Sequence, residues 1–327
     1  MAKDFTYTSG VVAVKETYLL KDKIFKLCEA SAEDALRTLQ ESGFGKGAEV
    51  NSVHDYERLL TADERDLDEF VREYAATNAE KEYLLSPRDF HNAKALIKAE
   101  YLKTEDTSAM LAPDGLYTAA YLTDCIKNGG YKEAQGELFK AIQTAVELFT
   151  GENEGKEVSG AEVGRIFDKA LYSSLAKACA HNSFLKKAVA AKADMTNILT
   201  ALRSQTPEYA ALSYVSGGKL KKEQLENLFI EDSEKAIQAF DKTDYKDFVK
   251  MCIERKNAGL PLTEAEKLAD SLECGLLSIK KYELKKSQPF LYYVFRRRAE
   301  NLNVRILFVC LLSGMPEQEI RKRLRTI

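Results

Sequence analysis

Asp194-Met195-Thr196-Asn197-Ile198-Leu199-Thr200-Ala201-Leu202 is the stretch from which the fold can be read. Its apolar residues Met195, Ile198, Leu199 and Leu202 fall at i, i+3, i+4 and i+7, the spacing that lines one face of an α-helix. An acid, two spacers and an asparagine head that stripe, and the same pattern occurs at Asp89-Phe90-His91-Asn92 and Glu300-Asn301-Leu302-Asn303. The acids stand at 89, 194 and 300, at intervals of 105 and 106 residues. Such regular intervals mark one unit written three times. When the acids are aligned, Ala93, Ile198 and Val304 superpose, as do Ile97, Leu202 and Phe308, so the buried stripe repeats along with the motif.

Each copy opens with a further helical segment, beginning at Leu20, Leu116 and Leu220. Turn signals precede the second and third, Pro113-Asp114-Gly115 and Ser216-Gly217-Gly218. These place the units at 1–111, 112–215 and 216–327. Gly and Pro are scarce, at 17 and 6 of 327 residues, which favours uninterrupted helices. The expectation is an all-α protein of three similar helical bundles. Only Gly10 to Val14 reads as a strand, and Ser86-Pro87 reads as a helix start with Asp89 three residues on as a cap.

The longest apolar run, Ile306 to Leu312, is far short of the ~20 residues that cross a bilayer. Met1-Ala2-Lys3-Asp4 turns polar at once, which predicts no cleaved leader and a chain that stays in the cytoplasm. Six scattered cysteines without a C-x-x-C pair fit buried thiols in a reducing compartment. The net charge of −3 hides an asymmetry: residues 280–327 carry +8, which leaves −11 for residues 1–279. That basic end predicts a surface facing a different partner from the rest.

The chain offers little for chemistry. Gly43 to Gly47 lacks the Ser or Thr that a phosphate loop needs after its lysine, and reads as a connection between helices. His54, His91 and His181 stand apart from one another and from cysteines at ligand spacing, so neither a metal nor a cofactor site is expected. His91 is replaced by Thr196 and Leu302 in the other copies, so the repeated architecture does not need an imidazole. The pairs Asp89/Asn92, Asp194/Asn197 and Glu300/Asn303 read as structural: an acid and an asparagine at i and i+3 share a helix face, placed to bond a neighbouring backbone. Arg296, Arg297, Arg298, Arg321, Lys322, Arg323 and Arg325 are the candidates for contact with a protein partner or lipid headgroups. A nucleic-acid role does not fit a pI near 5.9 and a chain without a nucleic-acid module.

Asp89-Phe90-His91-Asn92-Ala93-Lys94-Ala95-Leu96 resembles the first "D-x-x-N-[I/L]-K" helix of the C-type subunit of the V/A-type rotary ATPases, the counterpart of the d-type subunit in the vacuolar enzyme. The ending, from Glu300-Asn301-Leu302-Asn303-Val304-Arg305 through Gly314-Met315-Pro316 to Ile320-Arg321-Lys322-Arg323-Leu324, is similar to that family as well. Leu199 departs from it, standing where a basic residue is common. The resemblance implies a funnel of three helical domains with pseudo-threefold symmetry and no catalytic centre. It also implies a peripheral place on the cytoplasmic face of the membrane. There one copy takes the foot of the central shaft, formed by D- and F-type subunits, and rests on the proteolipid ring. Torque passing through it would couple ATP hydrolysis or synthesis to proton or sodium transport. The rival reading is an all-helical adaptor with a peptide-binding groove, but the unit of ~105 residues is longer than the 20 to 50 residues of most solenoid repeats.

Overall fold

The computed structural model describes residues 5–20, 22–103, 110–150, 158–277, 283 and 286–325. The polar loop Gly151 to Lys156 and the N-terminal Met1 to Asp4 lie outside these residues. Every regular element among the described residues is a helix. In chain order the α-helices are α1 (Phe5–Lys15), α2 (Lys23–Leu27), α3 (Ala32–Glu41), α4 (Glu57–Tyr74), α5 (Asn78–Leu102), α6 (Ala119–Asn128), α7 (Glu137–Phe149) and α8 (Gly160–Ala178). They continue with α9 (Ser183–Arg203), α10 (Pro207–Ser213), α11 (Lys222–Glu226), α12 (Ser233–Gln238), α13 (Lys246–Asn257), α14 (Thr263–Leu277), α15 (Gln288–Leu312) and α16 (Glu317–Arg323).

The chain divides into two compact units, one joining Met1–Ala76 to Thr263–Ile327 and the other formed by Thr77–Leu262. In the first unit, Leu20, Ile24, Leu36, Leu39 and Leu60 share a core with Val304, Leu307 and Phe308. The two ends of the sequence thus build one interior. Tyr56 stacks on Phe308 with ring centroids 4.8 Å apart. In the second unit, Phe90, Ala93 and Ile97 of α5 are buried with Leu122 and Ile126 of α6, Ile142 of α7 and Phe167 of α8. Both cores pair a motif helix with helices from a different stretch of chain. Burying one such Leu, Ile or Phe contributes about 1.5–3 kcal/mol.

Two local expectations give way. Gly10 to Val14 belongs to α1, whose buried Thr8, Ser9 and Val12 follow helical spacing as the helix packs along α15. A β-rich composition yields there to tertiary burial. Pro87 does not start a helix but lies inside α5. The stronger start signal is Thr77, whose hydroxyl accepts from the Glu80 N–H while the Glu80 carboxylate accepts from the Thr77 N–H, a full capping box. A mid-helix proline costs about 3 kcal/mol, and the buried run Tyr83, Leu84, Leu85, Phe90, Ala93 and Ile97 offsets it. Asp89 is therefore a mid-helix residue, not a cap.

All six cysteines are buried and outside any disulfide. Burial raises the thiols of Cys28, Cys125 and Cys310, and pushes Cys252 up to about 11 and Cys179 up to about 12. Thiolate, the reactive form, is correspondingly scarce. An aromatic disulfide reagent near neutral pH should leave these five unlabelled in the native protein and label them in denaturant; rapid native labelling of any of them would contradict the packing.

Candidate functional site

The acid and asparagine pairs occupy three helices, and all six side chains are at most 2% exposed. Asn197 donates its amide to the Val215 carbonyl at 2.9 Å and accepts from the Val215 N–H at 2.9 Å. Asn92 does the same to Ala112, at 3.1 and 2.8 Å, and Asn303 to Arg325, at 3.0 and 2.7 Å. Each amide thus satisfies both polar groups of one backbone residue.

The aspartates complete the grip. Asp194 accepts from the consecutive N–H groups of Lys219 and Leu220, both at 2.9 Å. Asp89 accepts from Leu116 and Tyr117 at 2.9 and 3.1 Å. These are the charge-assisted bonds that a buried carboxylate requires. Burial, a hydrogen bond to Asp194 and its charge together raise the Tyr245 phenol well above the ordinary range. Gly115 and Gly218 lie against the two aspartates, where a Cβ would fall on the Asp89 or Asp194 carboxylate. The turn signals Pro113-Asp114-Gly115 and Ser216-Gly217-Gly218 mark these glycines; their role in letting backbone approach an acid was not legible without the contact.

The third copy is different. Glu300 accepts from Arg297 Nη1 at 3.1 Å, and Arg297 also pairs through Nε with Asp63 at 2.8 Å and through Nη2 with the other Asp63 oxygen. A further bond runs from Arg297 Nη1 to the Tyr18 carbonyl at 3.3 Å, just ahead of Leu20, where the first unit of sequence opens. Arg297 is 5% exposed and Asp63 1%. Burial opposes the guanidinium charge, but the Asp63 and Glu300 carboxylates overcome it and leave Arg297 above its ordinary pKa. This arginine, expected to meet a partner, is an interior residue that joins α15 to α4.

The rest of the basic end is also largely neutralised from within. Arg305 forms a fork with Glu57, both bonds at 3.1 Å, and reaches Glu64 at 3.5 Å. Arg321 bonds Glu29 at 2.6 Å and Glu317 at 2.5 Å. Arg325 bonds Asp270 at 2.7 and 3.0 Å, and Lys322 bonds Glu319 at 2.7 Å. Part of the excess of +8 along the sequence meets, in space, Glu29, Glu57, Asp63, Glu64 and Asp270 from residues 1–279. Arg296 is half-buried over the Tyr292 ring, at 5.7 Å, and Arg298 is half-buried. Lys322 and Arg323 are the exposed members of the set.

Among the described residues, no group of three His, Cys, Asp or Glu converges in a way that would hold a metal ion. His91 Nε2 lies 2.9 Å from the Met110 carbonyl, and Lys46, in the glycine-rich loop, pairs with Asp66 at 3.5 Å.

The family of the ATP synthase (C/AC39) subunit matches residues 8–323, almost the whole chain. The protein belongs to that family. It is accordingly a relative of the C- and d-type subunits of the V/A-type ATPases, and its association is with such a complex. A comparison with curated proteins finds no match. No helix among the described residues is long and apolar enough to cross a membrane.

In this member of the C/AC39 family, replacing Asn197 with Leu orphans both polar groups of Val215 and should cost about 2–5 kcal/mol, since each buried unsatisfied group costs ~1–3. Gly218→Ala should lose a comparable amount by displacing the Asp194 carboxylate. Equilibrium denaturation measures both, and a loss below ~0.5 kcal/mol for either would show that the grip is not holding the loop. Asp63→Ala leaves Arg297 buried and half-paired and should cost about 3–5 kcal/mol, whereas Lys322→Ala, which breaks an exposed pair, should stay within ~1 kcal/mol.

Proposed function

We propose that this chain is the non-catalytic central-stalk component of a V/A-type ATPase, a socket between the rotating shaft and the membrane ring. The observation that carries the reading is the family match across residues 8–323, so that no substantial part of the chain is left over for an activity of its own. The partners are the D- and F-type shaft subunits above and the proteolipid ring below, with one copy per complex on the cytoplasmic face of the membrane. The three sequence units, 1–111, 112–215 and 216–327, arranged as a pseudo-threefold funnel, form the walls of the socket. Torque passing through those walls links ATP hydrolysis or synthesis to proton or sodium transport.

Partner contact by the basic end falls to residues whose charge is not already committed. Arg296 and Arg323 have no carboxylate in ion-pair range among the described residues, and Lys322 is exposed and bound only by an easily exchanged surface pair. Arg298 keeps its place as a candidate beside them. Arg321 and Arg325 contribute through packing of the terminus more than through free charge.

Deleting the gene should leave a soluble sector that hydrolyses ATP while ion pumping by membrane vesicles is lost; pumping that persists would reject the coupling role. Affinity capture of the tagged chain from solubilised membranes should recover shaft subunits and the ring, and recovery of neither would favour the adaptor reading. The double variant Arg296→Ala/Arg323→Ala should weaken assembly most at low salt, where exposed charges are least screened. Identical assembly across salt concentrations would remove these arginines from the interface.

A further inference from the structure

Arg297, Arg305, Arg321, Lys322 and Arg325 stand beside carboxylates; three cations of the second unit do not. Two of them line an open cleft of about 580 Å³ whose walls come from α7, α8, the segment after α10, and α11. Lys169 of α8 and Lys222, the first residue of α11, line it, and Arg165 lies one helical turn before Lys169. Aromatic rings position two of these charges: the Arg165 guanidinium lies 5.4 Å from the Tyr209 ring centre, and Lys222 Nζ lies 5.4 Å from that of Tyr214.

No carboxylate of the described residues lies in ion-pair range of Arg165, Lys169 or Lys222. The nearby acids are engaged elsewhere. Glu137, in the cleft wall, pairs with Lys177 at 2.7 Å and Lys140 at 3.4 Å, and the hydrogen bond from Lys177 holds its carboxyl below the usual range. Glu162 caps its helix by accepting from the Ser159 N–H at 3.0 Å. Lys169, an exposed residue whose ammonium is partly screened from water by the cleft wall, responds to this surplus: that partial desolvation, then repulsion from Lys222 and Arg165, pushes it below the ordinary lysine range. Like charges held together at a cost to each are stabilised most by an anion of high charge density.

We propose that this cleft binds an oligophosphate anion, with Lys169 and Lys222 as its counter-charges, Arg165 adding its field from one helical turn away, and the hydroxyls of Thr144 and Ser216 as further donors. The volume lies within the ~300–1,000 Å³ of small-ligand sites, and compact ammonium groups with hydroxyls suit the many oxygens of a phosphate chain. An acidic peptide is the poorer fit, because its carboxylates carry single charges spaced along an extended backbone. Occupancy would tie α8 to α11 through a shared counter-ion.

The test is calorimetric titration of the full-length chain with sodium tripolyphosphate at low ionic strength. Binding should be saturable at one site, and Lys169→Ala/Lys222→Ala should weaken it by about tenfold or more, the equivalent of ~1.4 kcal/mol. Both lysines are exposed, so circular dichroism and melting should match the parent protein. Lys186→Ala/Lys187→Ala, two exposed residues of α9 with the same change in net charge, should bind as the parent does. Equal weakening in both double variants, or no saturable binding by the parent, would overturn the site. So would binding that depends on Lys169 and Lys222 with a deca-glutamate peptide, or with anionic phosphoinositide vesicles, but not with tripolyphosphate.

Discussion

An asparagine amide carries a donor and an acceptor on one rigid plane, and a backbone residue that leaves a helix-to-helix connection carries the complementary pair. Asn92, Asn197 and Asn303 each close that match, on Ala112, Val215 and Arg325. The connections run against buried helices, where unpaired peptide groups would each cost ~1–3 kcal/mol. Apolar packing alone cannot meet this demand, since it has no direction. With Asp89 and Asp194 each taking two consecutive N–H groups four and five residues further on, each connection is held at two points. The short helices that follow, α6 after Leu116 and α11 after Leu220, start from anchored ends.

The same logic explains why the third copy departs from the other two. Its asparagine, Asn303, holds the backbone of Arg325. The acid there is the longer Glu300, and through Arg297 it meets Asp63 and the Tyr18 carbonyl from the start of the chain. A buried ion pair of this kind adds little net stability over an apolar replacement, but half of it cannot be removed cheaply. Its effect is to specify that α15 belongs with α4. The apolar contacts of Val304, Leu307 and Phe308 with Leu20 and Ile24 supply the burial energy for that pairing.

Helix content and the three motif helices with their i, i+3 polar pairs were legible in the sequence, because periodicity is local. What each pair grips was not, since the partners lie 18 to 28 residues away. The reading of the basic end failed at Arg297 for a stronger reason. Asp63 is 234 residues distant, and a string of residues does not reveal which remote acid a cation will meet. Net charge along a segment is a one-dimensional sum, whereas Arg305 with Glu57 and Arg321 with Glu29 cancel in three dimensions. Pro87 misled by the opposite route: a valid helix-start signal was outranked by the capping box at Thr77 and by the buried face that continues past it.

A part proposed to carry torque has to deform little under load, and the character of the buried contacts bears on that. Apolar contacts carry no direction, so a close-packed core fixes volume more strictly than it fixes the register of one segment on another. A hydrogen-bonded grip resists sliding, because a shift of an ångström or so breaks an aligned bond and exposes its two halves to an environment with no water to replace it. In this chain the grips lie at the points where one stretch of sequence hands over to the next, Ala112 to Tyr117 and Val215 to Leu220. Those junctions are where helical segments would otherwise shear. The acid-x-x-asparagine motif therefore stiffens the chain where a purely apolar helix protein would be weakest.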